Sequence, residues 1–257
     1  MSKFKLMIIV LISYGFLTGC SHMRDERYLV SFYEIDNSSE VISDYFVETK
    51  QLLSKVGASY LDAPLSIDKE LPNSAQPEYT RHSPGNVIFI AEFPNRERLD
   101  DYLKKGDVIQ AMDGIGNISQ NEIVFIAEDF NPMGMMNGTS RLGSFEYRKD
   151  SGFIMLNSIA MNSFINPMTP YRIMSYMNNN FPRLETAQVK MIMPFEKVED
   201  IRGHYDYEVL FLSEWPSEEV FNKFHSDEGF IELAKDTRNK AFTGFTESRA
   251  HVATEVQ

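Results

Sequence analysis

Three stretches of this chain, Val87-Ile-Phe-Ile-Ala91, Ile123-Val-Phe-Ile-Ala127 and Val209-Leu-Phe-Leu212, are apolar at every successive position. A strand with one wet face alternates, so strands of this kind need cover on both faces. Elsewhere the apolar residues recur every three or four positions. Leu99, Tyr102 and Leu103 fall on one face of a helix, as do Phe221, Phe224 and His225. The resulting order is strand Tyr28 to Ile35, helix Ser39 to Val56 ended by Gly57, strand Ala58 to Leu61, strand Val87 to Glu92, helix Arg96 to Met112 and strand Glu122 to Ala127. It is then repeated as strand Phe153 to Met161, helix Pro170 to Asn180, strand Thr186 to Met193, strand Tyr207 to Glu214, helix Glu218 to Lys240 and strand Gly244 to Val252.

The repetition is visible in the residues themselves. Ala91 to Leu103 matches Ser213 to His225 at a constant spacing of 122, with Glu92/Glu214, Pro94/Pro216 and Glu97/Glu219 identical and Phe93 facing Trp215. After a shift of one residue, Gly106/Gly229, Val108/Ile231 and Ala111/Ala234 continue the match. In both copies a proline ends the strand, Asn95 or Ser217 is placed to cap the helix, and a glutamate sits in its first turn, where the helix dipole favours a carboxylate. Each copy is β-α-β-β-α-β, the split unit of ferredoxin-like sheets. The fold class is therefore α+β, with a first repeat over 28–130, a Gly-, Pro- and Asn-rich linker over 131–150 and a second repeat over 151–257. Two helices cover only one face of each sheet. The other face is expected to be covered by the second sheet, giving a two-sheet barrel with helices outside and an internal pseudo-dimer within a monomer.

Composition narrows the partners. Lys+Arg 25 against Asp+Glu 37 gives a formal charge of −12, which repels a phosphate backbone, so nucleic acid is not expected. The N-terminus has Lys3 and Lys5, an apolar run from Leu6 to Leu17 and then Leu17-Thr18-Gly19-Cys20. The run is too short to span a bilayer and reads as the core of an export signal.

That tetrapeptide resembles the lipobox of bacterial lipoproteins, which implies a signal peptide over 1–19, lipid on Cys20, a tether over 20–27 and a membrane association through acyl chains alone. Cys20 is the only cysteine, as expected if lipid consumes its thiol. Ser21 rather than Asp follows it, which in a Gram-negative host implies the outer membrane, facing the periplasm. The run Glu-Phe/Trp-Pro-Asn/Ser-x-Glu-x-Leu/Phe-x-x-Tyr/Phe, followed by Gly and an apolar turn, is similar to the dimeric α/β-barrel superfamily. The nearest resemblance is to antibiotic-biosynthesis-monooxygenase-like domains, here in tandem. That resemblance implies ferredoxin-like halves and a range of activities, from cofactor-free oxygenases and isomerases to haem-degrading enzymes and domains with no known reaction.

Haem-degrading members use a Trp and a His on the second helix. The matching positions hold Phe224 and Ala234 in the second copy and Tyr102 and Ala111 in the first, so haem is not expected and no cofactor is assigned. His225 replaces Leu103 on the apolar helix face and Asn157 lies in the first strand of the second copy, which makes these two the catalytic candidates. Trp215, Phe224 and His225 are the ligand-binding candidates; the bland alternative for His225 is a half-buried histidine satisfied by a neighbour. His204, Asp206 and Glu208 alternate and offer N and O ligands, but without a fourth ligand they read as a solvated face, and no metal is assigned. Ten of the 14 methionines lie between Met133 and Met193, a soft-metal pattern or, more simply, adaptable apolar filler. The segment Ala63 to Gly85, with four prolines, shows no periodicity and reads as a long loop, either lid or surface insertion, leaving Arg81 and His82 unassigned; Pro194 to Asp206 reads as its shorter counterpart. No G-x-S-x-G, G-x-x-x-x-G-K-[ST] or G-x-G-x-x-G occurs. The expected function is an envelope lipoprotein that binds a small, partly apolar molecule. The alternatives are a cofactor-independent monooxygenase or isomerase and a structural lipoprotein that engages a protein partner.

Overall fold

A computed structural model of the chain describes residues 25–35, 39–60, 65–68, 80–81, 84–130, 152–161 and 168–252. The first repeat runs β1 (Arg27–Glu34), α1 (Ser39–Ser54), β2 (Ser59–Tyr60), β3 (Leu65–Asp68), β4 (Thr80–Arg81), β5 (Val87–Phe93), α2 (Arg96–Leu103), α3 (Gly106–Gly116) and β6 (Asn121–Asp129). The second runs β7 (Phe153–Met161), α4 (Thr169–Thr186), β8 (Lys190–Arg202), β9 (Val209–Trp215), α5 (Glu218–His225), α6 (Glu228–Leu233), a π-helical turn (Ala234–Arg238), α7 (Asn239–Ala241) and β10 (Phe242–Val252). Cys20, the linker over 131–150, His82 and Met133, Met135 and Met136 lie outside the described residues.

β5 shows why its sequence is apolar throughout. All seven residues are buried, but they serve two different cores. Ile88 and Ile90 point into the barrel, while Val87, Phe89, Ala91 and Phe93 point out beneath α1, α2 and α3. The caps form as expected: Asn95 accepts from the Arg98 N–H at 2.9 Å and Ser217 from the Val220 N–H at 3.3 Å.

Each half-sheet has the order fourth, first, third, second strand, and the halves are joined into a closed ring, β1-β6-β8-β9-β7-β10-β3-β5 and back to β1. The closure is a reciprocal exchange. β8 pairs with β9 in its first half and then crosses to pair with β6, Phe195 opposite Asp129 through Arg202 opposite Val124. Symmetrically, β3 pairs with β5 and crosses to β10, Leu65 opposite Val252 through Asp68 opposite Arg249. This arrangement leaves neither inner face open to solvent. Between them Tyr205 stacks on Phe125 with ring centroids 4.3 Å apart, Tyr28 meets Phe195 edge-on at 4.8 Å, and the Tyr205 hydroxyl donates to Ser158 Oγ at 2.6 Å.

The structure corrects four expectations. Part of Ala63 to Gly85 is strand: β3, together with β4 in a short parallel pairing with β10. Pro194 to Asp206 is not a connection, since β8 continues to Arg202. In both cases the pairing partner in the other half is more than sixty residues distant, beyond the reach of local periodicity. α4 runs past Asn180 and through Pro182 to Thr186, because packing on the sheet outweighs the lost N–H. The predicted helices Arg96 to Met112 and Glu218 to Lys240 are each broken, at Lys104 and at Ser226 and Asp227, and the second also contains the π-turn.

Among the described residues no helix is long and apolar enough to cross a membrane. Because Phe125 is fully buried between the sheets, Phe125→Ala is expected to cost about 3–5 kcal/mol. Urea unfolding followed by circular dichroism should show this as one cooperative transition for the whole chain. Two separated transitions would mean the halves do not depend on each other.

Candidate functional site

Sheet register superimposes the two repeats residue by residue. Ser31 faces Phe89 on one side and Val124 on the other; Asn157 faces Phe211 and Glu247 in the same way. On the first helices the left-handed residue after the last turn is Gly57 (φ 72°) in one repeat and Gln188 (φ 59°) in the other, which aligns Tyr45 with Tyr176 and Thr49 with Asn180.

The outer layers of the two halves differ. Beneath α1, α2 and α3 the described residues form a continuous apolar core that includes Phe46, Leu53, Leu99, Val108, Ile115, Val124 and Ile126. In the second half the corresponding space holds a cavity of about 120 Å³. Its floor is β7, β9 and β10, which contribute Met155, Asn157, Ile159, Phe211, Ser213, Trp215, Phe245 and Glu247. Its roof is Tyr176, Met177, Asn180 and Leu184 of α4, Phe221, Phe224 and His225 of α5, Phe230 of α6 and Arg238 of the π-turn. Leu103, half-buried against the core of the first half, and Ile115 and Val124, buried within it, correspond to His225, Arg238 and Glu247. Three hydrophobic positions have become three ionisable ones, and all three line the cavity.

These groups are held firmly. His225 is 7% exposed; its Nδ1–H donates to the Phe221 carbonyl at 2.9 Å, and its Nε2 is 3.8 Å from Glu247 Oε1. Burial pushes its pKa down, with Arg238 adding to the shift and Glu247 and the Phe221 carbonyl opposing it, so the imidazole is neutral at pH 7. Its ring lies tilted against Phe221 with centroids 3.9 Å apart, and 5.1 to 5.3 Å from Phe230, Trp215 and Phe224. Arg238, 3% exposed, sits over Phe245 at 5.0 Å and near Phe230 and Tyr176 at 5.8 and 5.9 Å, and its Nε donates to Asn239 Oδ1 at 3.0 Å. It is the last residue of the π-turn, a local widening of the helix that frequently marks functional positions. Trp215 Nε1 donates to Ser213 Oγ at 3.3 Å, and Asn180 Nδ2 donates to the Tyr176 hydroxyl at 3.2 Å.

The cavity thus brings together Asn157, Trp215, Phe224 and His225, the residues selected from sequence. It also contains Tyr176, Asn180, Arg238 and Glu247, which local patterns did not single out. The signal for two of them lay in the repeat: aligned with Ile115 and Val124, Arg238 and Glu247 stand out as polar replacements of core residues. The methionines Met155, Met161, Met177 and Met191 also line the cavity as apolar wall. His204 lies outside it, bonded through Nδ1 to Asp200 at 2.8 Å, with Nε2 3.4 Å from Asp206, while Glu208 accepts from the Met161 N–H at 2.8 Å. Among the described residues no group of three or more His, Cys, Asp or Glu is arranged to hold a metal ion.

Haem does not fit these residues. Ala234, at the position of the haem relatives' histidine, is fully buried in the π-turn and offers no ligand, and His225 is tied to the backbone of its own helix.

Neither a scan against protein-family models nor a search of curated proteins finds a match for this sequence. Solved structures do match in fold. An anthrone oxidase-like protein superposes with a TM-score of 0.57 at 9% identity, over 91% of this chain and 94% of its own. A mutant chlorite dismutase from Candidatus Nitrospira defluvii matches with a TM-score of 0.51 at 10% identity, over 89% and 92%. The imidazole complex of the same organism's chlorite dismutase gives 0.50 at 11%, over 93% and 95%. The chain therefore has the dimeric α/β-barrel fold, with both halves supplied by one polypeptide.

A buried neutral imidazole leaves a pH signature. The unfolded chain takes up the proton first as pH falls, so the stability tied to neutral His225 is lost below about pH 6.5. His225→Leu, which restores the first repeat's residue type, should abolish that component. Urea midpoints at pH 7.5 and 5.5 should show wild type losing stability relative to the variant, by up to about 1.4 kcal/mol per pH unit. Parallel pH profiles would contradict a buried neutral histidine.

Proposed function

We propose that the second half of this protein is a receptor for a small, partly apolar molecule, and that a lipid on Cys20 tethers it to the cell envelope. The carrying observation is the contrast between duplicates: among the described residues one sheet–helix space holds a continuous apolar cluster, and the other holds a cavity fitted with His225, Arg238 and Glu247. Burying ionisable groups in place of Leu, Ile and Val costs stability. Retaining them around an apolar cavity is what a binding site requires, since apolar walls supply affinity and a few polar groups supply orientation. The tether reading is supported by the Lys3 to Cys20 pattern.

Native mass spectrometry of the protein from its own host is expected to show one retained organic molecule per chain. Asn157→Trp, which fills the cavity from its floor, should remove it. A bare polypeptide mass from host material would count against the receptor reading. For the tether, the wild-type chain should fractionate with membranes and Cys20→Ala should appear in the soluble fraction; identical fractionation would overturn lipid attachment.

A second reading, cofactor-independent oxygenation in the same cavity, draws on the neutral imidazole of His225 and on the fold shared with an anthrone oxidase-like protein. In such a reaction His225 takes a proton from an activated single-ring quinol, O₂ is the oxidant, and hydroquinone plus O₂ gives hydroxybenzoquinone plus water. Oxygen uptake with hydroquinone that disappears in His225→Ala would support this reading; uptake equal to the uncatalysed rate would remove it.

A further inference from the structure

Several polar groups of the cavity wall are engaged within the protein. The Ser213 hydroxyl accepts from the Trp215 indole, His225 Nδ1 donates to its own helix, and the Tyr176 hydroxyl accepts from Asn180 Nδ2. Asn180 Oδ1 is different. The residue is 6% exposed, it lines the cavity, and this oxygen is buried with no hydrogen-bond partner among the described residues. An unpaired buried acceptor costs about 1–3 kcal/mol, and the fold gains nothing from it in the empty state. The corresponding residue of the first half is the shorter Thr49, whose Oγ1 is also buried without a hydrogen-bond partner among the described residues; what sets Asn180 apart is that it lines a cavity.

We infer that Asn180 is the polar anchor of the site, and that the molecule it selects is an uncharged, compact hydrocarbon skeleton bearing a hydroxyl or N–H that donates to Asn180 Oδ1. This rests on the receptor reading given above. The neutrality follows from the wall itself. Arg238 and Glu247 bring one basic and one acidic side chain into the same lining, and burial favours the neutral form of His225, so neither sign dominates the wall. The size follows from the cavity: about 120 Å³ is comparable with the ~150 Å³ apolar cavities that take up a single aromatic ring. A ligand that can only accept would leave Oδ1 unpaired and face it with a second acceptor.

The test uses three single-ring molecules of one shape: cyclohexanol (a hydroxyl donor), cyclohexanone (a ketone acceptor) and cyclohexane (the bare hydrocarbon). Trp215 is the only tryptophan and lines the cavity, so its fluorescence reports occupancy directly in the full chain. Wild type is expected to bind cyclohexanol at least tenfold more tightly than cyclohexanone. Asn180→Leu should lose at least tenfold for cyclohexanol and less than twofold for cyclohexane, whose binding also shows that the variant's cavity is intact. If cyclohexane binds but cyclohexanol and cyclohexanone are equal, or if Asn180→Leu weakens cyclohexanol and cyclohexane alike, the anchor is overturned and the receptor reading stands. If none of the three binds the wild-type chain, the receptor reading falls and the anchor falls with it.

Discussion

Each half of this molecule makes a sheet with two apolar faces and only enough helix to cover one. The remaining face can be kept from water only by the other sheet, and the strands that enforce this are β8 and β3, each of which leaves its own half to pair with the other's last strand. The exchange ties the fold together. It places Tyr205 and Phe195, contributed by the second half, against Phe125, Phe32 and Tyr28 of the first. Ion pairs follow the same seam: Arg96 reaches Glu199 at 2.8 Å and Arg202 reaches Asp113 at 2.6 Å. These pairs are partly exposed and add little by themselves. The apolar area that the strands close off dominates.

A shared barrel core frees the outer layers from each other. In a homodimer both sheet–helix spaces would carry the same residues, whereas in a fused pair each diverges independently. Here the first half keeps an apolar layer, while the second places His225, Arg238 and Glu247 at the positions equivalent to Leu103, Ile115 and Val124. Under the proposed function this is an exchange of stability for a site. The π-turn belongs to the same divergence: α3 is regular, whereas its counterpart widens before Arg238 and delivers a guanidinium among three aromatic rings.

The duplication, the strand–cap–helix units and the barrel were legible because they rest on local signals, namely uninterrupted apolar runs, Pro94 and Pro216, and the caps Asn95 and Ser217. What was hidden depends on distance. Leu65–Asp68 and the far half of β8 read as loop because their partners are strands of the opposite half. The site was legible in the same proportion. Trp215, Phe224 and His225 sit on an obvious amphipathic face, and Asn157 interrupts an apolar strand. Asn180 lies in a run of three asparagines, and Arg238 and Glu247 in polar surroundings, so nothing local distinguishes them from solvated surface. Only the comparison of one repeat with the other shows that Arg238 and Glu247 occupy core positions.

The central claim is that the space between β7, β9, β10 and α4 exists to hold a molecule. The most direct measurement is a crystal structure of the protein purified from its own host and never refolded. The account predicts continuous density larger than water in that space, packed against Trp215 and within hydrogen-bonding distance of Asn180. A space closed by collapse of α4 onto the sheet, or one holding only discrete ordered waters, would contradict it.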